Sequence, residues 1–423
     1  MLKLVTFTLA FFIAVVASGR AEPLTYNGPL SLAQALARVR DADFDVRLAQ
    51  ASAQSARAQA LGQQALTRPQ LSAAATALNA NLPQLGMPVA RQAYVSAIAS
   101  LPLLATNQRL GYLAGNFSAD ASSASVGEAR NNAAFAAIQI YRRAQLGQAL
   151  IDARSVALLA QRSHLRNTEL RVAVGKSAPY LLNRDRASLA AAQQNLEDAR
   201  AQRDEAINEL AAALDYSISS NIVIADSLQP VSFVSAEKLA LAKAMNQRPA
   251  VQAARVQLEA ALARTSEGRA AFLPTITANA QSYNGTSSPM LGAAGFQIGV
   301  TANLPVFDGG ARRAIIEQVA AEVQRAQAVV EQTELFAQRD VANSYRELKA
   351  ASINLQAART GLSSASEQLR VAQLREAAGK GIVLEALDAL SVAANARENE
   401  LMAVARYDNA VASVQHATGD LSI

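Results

Sequence analysis

The residues best spaced for chemistry in this 423-residue chain are two carboxylates. Glu385 and Asp388 stand in Val383-Leu384-Glu385-Ala386-Leu387-Asp388-Ala389-Leu390, and a spacing of three on a helix turns both to one face. Taken alone, the pair only keeps that face wet, because nothing around it completes a catalytic set. Gly175-Lys176-Ser177 has the ending of a phosphate-binding loop, but the first glycine of that motif would have to stand where Leu170 does. His164 and His416 are isolated in the sequence, too few for a metal site. Cysteine is absent, which excludes a disulfide, a thiolate zinc site, a cysteine nucleophile and a lipid anchor on an N-terminal cysteine. Asn284-Gly285-Thr286 fits a glycosylation sequon in an expected surface loop. No nucleophile elbow or dinucleotide fingerprint occurs. The expectation is a protein that is not an enzyme, with no metal and no cofactor. A net charge of +5 is small, and the basic residues alternate with acidic ones rather than forming a patch with aromatics, so no nucleic-acid partner is expected.

The elements that would carry such residues are long helices. The helix formers Ala, Leu, Arg and Gln are abundant, and Trp is absent. Residues 1–21 have the form of a signal peptide, with Lys3, an apolar run from Leu4 to Ala17, and Gly19-Arg20-Ala21 before the cleavage point.

The rest repeats itself. Arg68-Pro69-Gln70-Leu71 resembles Leu273-Pro274-Thr275-Ile276, Leu101-Pro102-Leu103 resembles Leu304-Pro305-Val306, and Val174-Gly175-Lys176 resembles Ala378-Gly379-Lys380. All three offsets lie within one residue of 204. The halves so defined run over 22–220 and 236–423, with a linker at 221–235 that contains Pro230 and the β-leaning Ile222-Val223-Ile224.

Each half starts with a helix of about 35 residues, Ser31 to about Leu66 and Ala236 to about Arg269. Two strands follow, about 68–82 and 90–104 in the first half, and about 272–284 and 295–306 in the second. In these segments apolar and polar residues alternate with a period of two, as in Ile298, Val300, Ala302 and Leu304 against Gln297, Thr301 and Asn303. A very long helix then runs to a glycine turn, and a return helix of about 40 residues closes the unit. Val341, Leu348, Leu355, Leu362 and Leu369 recur every seven residues, with Ala351, Ala358, Ala365 and Ala372 between them. One large and one small residue per heptad make a close-packed coiled-coil seam. Each half is therefore expected to be an antiparallel helical hairpin turning at Gly175 or Gly379, where glycine allows the positive φ of a reversal.

Strands of this length suit a membrane crossing. Four of them cannot close a barrel, and lipid does not tolerate open sheet edges. Two, three or four copies would supply 8, 12 or 16 strands, and their hairpins would gather into a cylinder roughly 100 Å long.

With this order of elements, the chain resembles the TolC-like outer-membrane efflux and secretion channels over almost its whole mature length. The most specific pieces are Leu304-Pro305-Val306-Phe307-Asp308-Gly309-Gly310 and the hairpin from Gly379 to Ala389. The resemblance implies a mainly α protein with a membrane β-barrel. It would be a homotrimer with a 12-stranded barrel in outer-membrane lipid and a helical tunnel in the periplasm. The function implied is a passive exit duct of a tripartite efflux pump or a type I secretion system. The partners implied are a periplasmic adaptor, or membrane fusion protein, and an inner-membrane transporter of the RND, ABC or MFS type. Glu385 and Asp388 match an acidic ring at the periplasmic aperture, where six carboxylates would favour cations. Arg171, Val174 and Gly175, with Ala378 and Gly379, match the tips that dock the adaptor.

Glu376 and Gly381 stand where members carry an aromatic and an arginine that close the aperture, so that closure is not carried over. The first half keeps neither the Asp-Gly-Gly junction nor the paired carboxylates, which implies an asymmetric gate within each protomer. The competing reading from the residues is a periplasmic coiled-coil adaptor. Such proteins place lipoyl-like β-domains around one hairpin, whereas this chain has two hairpins in tandem.

Overall fold

The structure is a computed structural model, described here for residues 24–82, 87–285, 294–378 and 383–421. The expected signal peptide, Gly379, Lys380 and Gly381 lie outside the described residues.

Each half begins with two helices rather than one. Strand β1 (Asn27–Leu30) leads into α1 (Leu32–Ala42) and α2 (Phe44–Ala65), and the second half opens with α5 (Glu237–Gln247) and α6 (Pro249–Ala270). The expected 35-residue helices thus break after 11 residues in both halves. Their causes differ. Asp43 leaves the helical region at ψ 136 and its carboxylate accepts from the backbone N–H groups of Asp45 and Val46, so it caps α2. Arg248 takes ψ 123 because it precedes Pro249, which starts α6.

Strands β2 (Gln70–Leu82) and β3 (Met87–Leu104) follow α2, and β5 (Thr275–Gly285) and β6 (Ala294–Asn303) follow α6. They form one antiparallel sheet in the order β2-β3-β5-β6. Its register collects the apolar residues of all four strands. Leu71 pairs with Ala99, Ala99 with Ala280, and Ala280 with Ile298. The opposite face carries Ser72, Ile98, Gln281 and Gln297, again in direct register. Phe296, Ile298 and Val300 are exposed, and among the described residues β2 and β6 each have one unpaired edge.

Two long helices leave the sheet. α3 (Thr106–Ala173) has 68 residues and α7 (Ala311–Ala377) has 67. Each folds back through a shorter partner, α4 (Tyr180–Ala213) or α8 (Val383–Thr418). Along α7 the buried residues Val341, Ala351, Leu355, Ala365 and Ala372 follow the seven-residue seam. The start of α7 is made by Asp308, whose carboxylate accepts from the backbone N–H of Gly310 and Arg312, with Gly309 and Gly310 at φ 67° and 97°. α3 starts at Ala105 with no side-chain cap.

Part of the expected linker is structured. Asn221–Ile224 forms β4, which pairs in parallel with β1. Around that pair, Leu30, Val39, Val46, Tyr141, Leu210 and Ile222 form the largest buried cluster among the described residues. The linker is then strapped to both hairpins. The Tyr141 hydroxyl donates to Asp226, Gln145 donates to the Asp226 carbonyl, and the Val231 N–H donates to Asp408 of α8.

Candidate functional site at the hairpin tips

The first tip is a helix ending in a left-handed glycine. Gly175 has φ 71°. Its N–H donates to the Val172 carbonyl, and the Lys176 N–H donates to the Arg171 carbonyl at 2.8 Å. These two bonds close the α3 terminus and need φ > 0 at residue 175. Val174, Leu170 and Tyr180 are exposed around the turn. At the second tip Ala378 ends α7, its N–H donating to the Leu374 carbonyl.

The candidate carboxylates each have an arginine partner. Glu385 meets Arg375 at 2.9 Å, across the turn of its own hairpin. Asp388 meets Arg184 of α4 at 3.3 Å, across the gap between hairpins. A second bridge between the hairpins joins Arg171 to Glu376 at 2.9 Å. A third lies further from the tip, where Arg154 donates to both oxygens of Glu398. Glu376, which stands where an aromatic was expected, is thus engaged by the first hairpin. The Glu385 and Asp388 pairs are exposed and the other two half-buried, and since exposed ion pairs contribute about 0–1 kcal/mol each, those at Glu385 and Asp388 position the helices more than they stabilise them.

Sequence reasoning did not identify Arg184, Arg375, Arg154 or Glu398. A signal for one of the bridges was present: Arg184 and Asp388, 204 residues apart, are matching positions of the two halves with opposite charge, whereas Arg171 matches Arg375 and its partner Glu376 stands one residue further on. Among the described residues, no group of three or more His, Asp or Glu side chains could hold a metal ion. No described helix is long and apolar enough to cross a membrane, which says nothing of a β-barrel.

Residues 240–420 match the family model described as outer membrane efflux protein. The chain is 32% identical over 243 residues to Protein CyaE of Bordetella pertussis (strain Tohama I), covering 56% of this chain and 50% of that protein. The match thus spans about half the length of this curated relative. Three solved structures share the fold. CusC superposes with a TM-score of 0.78 at 20% identity, covering 93% of both chains. The outer membrane protein VceC of Vibrio cholerae gives 0.76 at 20% identity, covering 92% of this chain and 96% of that one. The MtrE outer membrane channel of Neisseria gonorrhoeae, in its open state, gives 0.79 at 21% identity, covering 92% and 88%. The resemblance to TolC-like outer-membrane efflux proteins therefore holds, in sequence for the second half and in fold for nearly the whole length. The chain is an outer-membrane protein whose helical part lies on the periplasmic side.

Proposed function

We propose that the chain is one protomer of a passive exit duct, from periplasm to exterior, of a tripartite efflux or type I secretion assembly. The two halves are inferred to be copies of one ancestral unit, since their helices and strands match in order and nearly in length. One observation carries the duct reading. The sheet has an exposed apolar face, a polar face and two open edges, and it continues directly into the long helices. Such a sheet is stable in lipid only when its edges are paired by other copies. Three copies would make the 12-stranded barrel that the family resemblance implies, with the polar face lining the lumen. The adaptor alternative gives no use for a sheet that is apolar on its exposed side.

At the periplasmic end, Glu385 and Asp388 would ring the aperture, and Arg171–Glu376 and Arg184–Asp388 would hold the hairpins together in the closed state. The tip residues Arg171, Val174, Gly175, Ala378 and Gly379 would dock a periplasmic adaptor, and through it an inner-membrane transporter of the RND, ABC or MFS type. The test is single-channel conductance in a planar bilayer. Wild-type protein should conduct with cation preference, and Glu385→Ala/Asp388→Ala should lose that preference and its block by divalent ions. Unchanged selectivity and block would remove the aperture assignment. Gly175→Trp should abolish export while assembled protein stays in the outer membrane; normal export would remove the docking assignment.

A further inference from the structure

The segment from Leu304 to Gly310 is only half used by the fold. Asp308, Gly309 and Gly310 make the start of α7, whereas Val306 and Phe307 just before them are 87% and 89% exposed. These two side chains prolong an apolar surface. Ile298 and Val300 stand on the apolar face of the sheet in β6, Leu101 of β3 joins it through Ala278, and all three are exposed. The greasy face thus runs off the end of the sheet and onto the junction with the helices.

The charge changes at the same level. Among the described strand residues of the sheet, Arg91 is the only charged one. Every junction between strand and helix then carries arginine: Arg68, Arg109, Arg269, and Arg312 with Arg313. The pairings Gln70 with Ser100, Leu104 with Ile276 and Thr275 with Asn303 set these four junctions side by side. Residues 66–70, 104–110, 269–275 and 303–313 hold these five arginines and one carboxylate, Asp308, which is taken by Arg312 at 2.6 Å. The others are free or loosely held. Arg109 and Arg269 have no partner among the described residues, Arg68 meets only the Gln64 carboxamide, and Arg313 meets Glu317 at 3.3 Å with 85% of its side chain exposed. Arg312 and Arg313 stand in the first turn of α7 and Arg109 is the fourth residue of α3, where the helix dipole favours an anion. Neither first turn contains an acidic residue.

We propose that this band of junctions binds anionic phospholipid headgroups of the leaflet on the periplasmic side. Val306 and Phe307 insert among the acyl chains, and Arg68, Arg109, Arg269 and Arg313 hold the phosphates. The depth is right, because the band begins where the apolar face of the sheet ends, which is where headgroups must lie. The chemistry is right as well. A guanidinium takes phosphate oxygens through two parallel hydrogen bonds, and each arginine near a membrane surface enriches anionic lipid by about fivefold. The proposal rests on the sheet lying in lipid, and adds to it a preference for one class of lipid.

The absence of Trp from the chain permits a direct test. Phe307→Trp places a single indole in the full-length protein, which is reconstituted in vesicles of equal phosphatidylglycerol and phosphatidylcholine. One lipid at a time carries bromine near the top of its acyl chains, where it quenches an indole in contact with it. Quenching should be at least threefold stronger with brominated phosphatidylglycerol than with brominated phosphatidylcholine. Adding Arg68→Gln/Arg109→Gln/Arg269→Gln/Arg313→Gln should remove that preference. Adding Arg166→Gln/Arg186→Gln/Arg359→Gln/Arg406→Gln, which removes four exposed arginines from the helices instead, should leave it in place. No quenching by either lipid would overturn the proposal, because Phe307 would then face water or another copy of the chain. Equal quenching by the two lipids would overturn it too, as would a preference that survives loss of the junction arginines. Conductance across the same vesicle membrane keeps the two readings apart. A protein that conducts without selective quenching overturns the lipid site and leaves the duct standing.

Discussion

The two halves of this protein run through the same order of elements by different local chemistry. The break before the second helix of each half is made by an aspartate cap at Asp43 in the first and by Arg248-Pro249 in the second. The ends of α4 and α8 both close on a left-handed residue, Asp215 at φ 54° and Gly419 at φ 72°. The long helix starts bare at Ala105 but on a carboxylate and two glycines at Asp308-Gly309-Gly310. The repeated path is therefore fixed by the packing each half must make, and a local residue is constrained only where a neighbour crowds it.

Arg248 shows the crowding. Its guanidinium meets Asp340 of α7 at 3.0 Å and Glu128 of α3 at 3.9 Å, and is largely buried between them. A Cβ added at Gly419 would lie 3.0 Å from the Arg248 Cα and from Pro249 Cδ. The second-half hinge is thus the place where the end of the chain, α7 and the first half's α3 meet. Asp43 in the first half caps its own helix and is half-buried.

If this contrast is right, the second-half hinge is the costlier one to alter. Arg248→Ala, which leaves Glu128 half-buried without its partner and Asp340 with Arg339 alone, should destabilise the protein by about 2 kcal/mol in denaturant melts. Gly419→Ala, strained both by its φ and by the contact with Arg248, should cost about 2 kcal/mol, whereas Asp215→Gly should be neutral or stabilise by up to about 1 kcal/mol. A destabilising Asp215→Gly would mean that the first-half end is as constrained as the second. Asp43→Ala should cost only about 1 kcal/mol, the value of a lost cap.

The smallest effect is acid-dependent. The His416 ring stacks on Phe135, and its Nε2 meets Asn132 Oδ1 at 2.7 Å. Burial, then the charge of Arg248, holds its imidazole below the ordinary value of 6.5, with Asp340 partly opposing. The unfolded chain then takes up this proton more readily than the folded one, so stability is lost as pH falls below about 6.5. The melting temperature of His416→Gln should fall less than that of wild type between pH 7.5 and 5.5. The matching residue of the first half is Ala212, so no such acid loss arises there.

The period-two strands, the seven-residue seam and the glycine at the first tip were legible because each is a local pattern that the fold keeps. The four strands lie within a few residues of where alternation puts them. The helix breaks were written in the sequence too, as an aspartate before a helical run and as an Arg-Pro step, but the strong helical composition on either side outweighed them. The β1–β4 pair was hidden because its strands, four residues each, lie 194 apart. The arginine partners at the tips were hidden for a similar reason. A charged residue on a helix face has the same sequence signature whether it faces water or another hairpin, and only the fold brings Arg184 to Asp388.

The central claim is that the open edges β2 and β6 are closed by other copies of the chain, in an assembly of three. The absence of cysteine permits a direct measurement. Cysteine at Ser72 of β2 is combined in turn with cysteine at each of positions 297, 299, 301 and 303 of β6, and the outer membrane is oxidised before denaturing electrophoresis. Because β2 and β6 lie at opposite edges of one sheet, these pairs can join only between copies. The account predicts, for at least one register, a ladder of linked species that ends at three. No cross-link in any register, or a ladder that ends at two or at four, would contradict it.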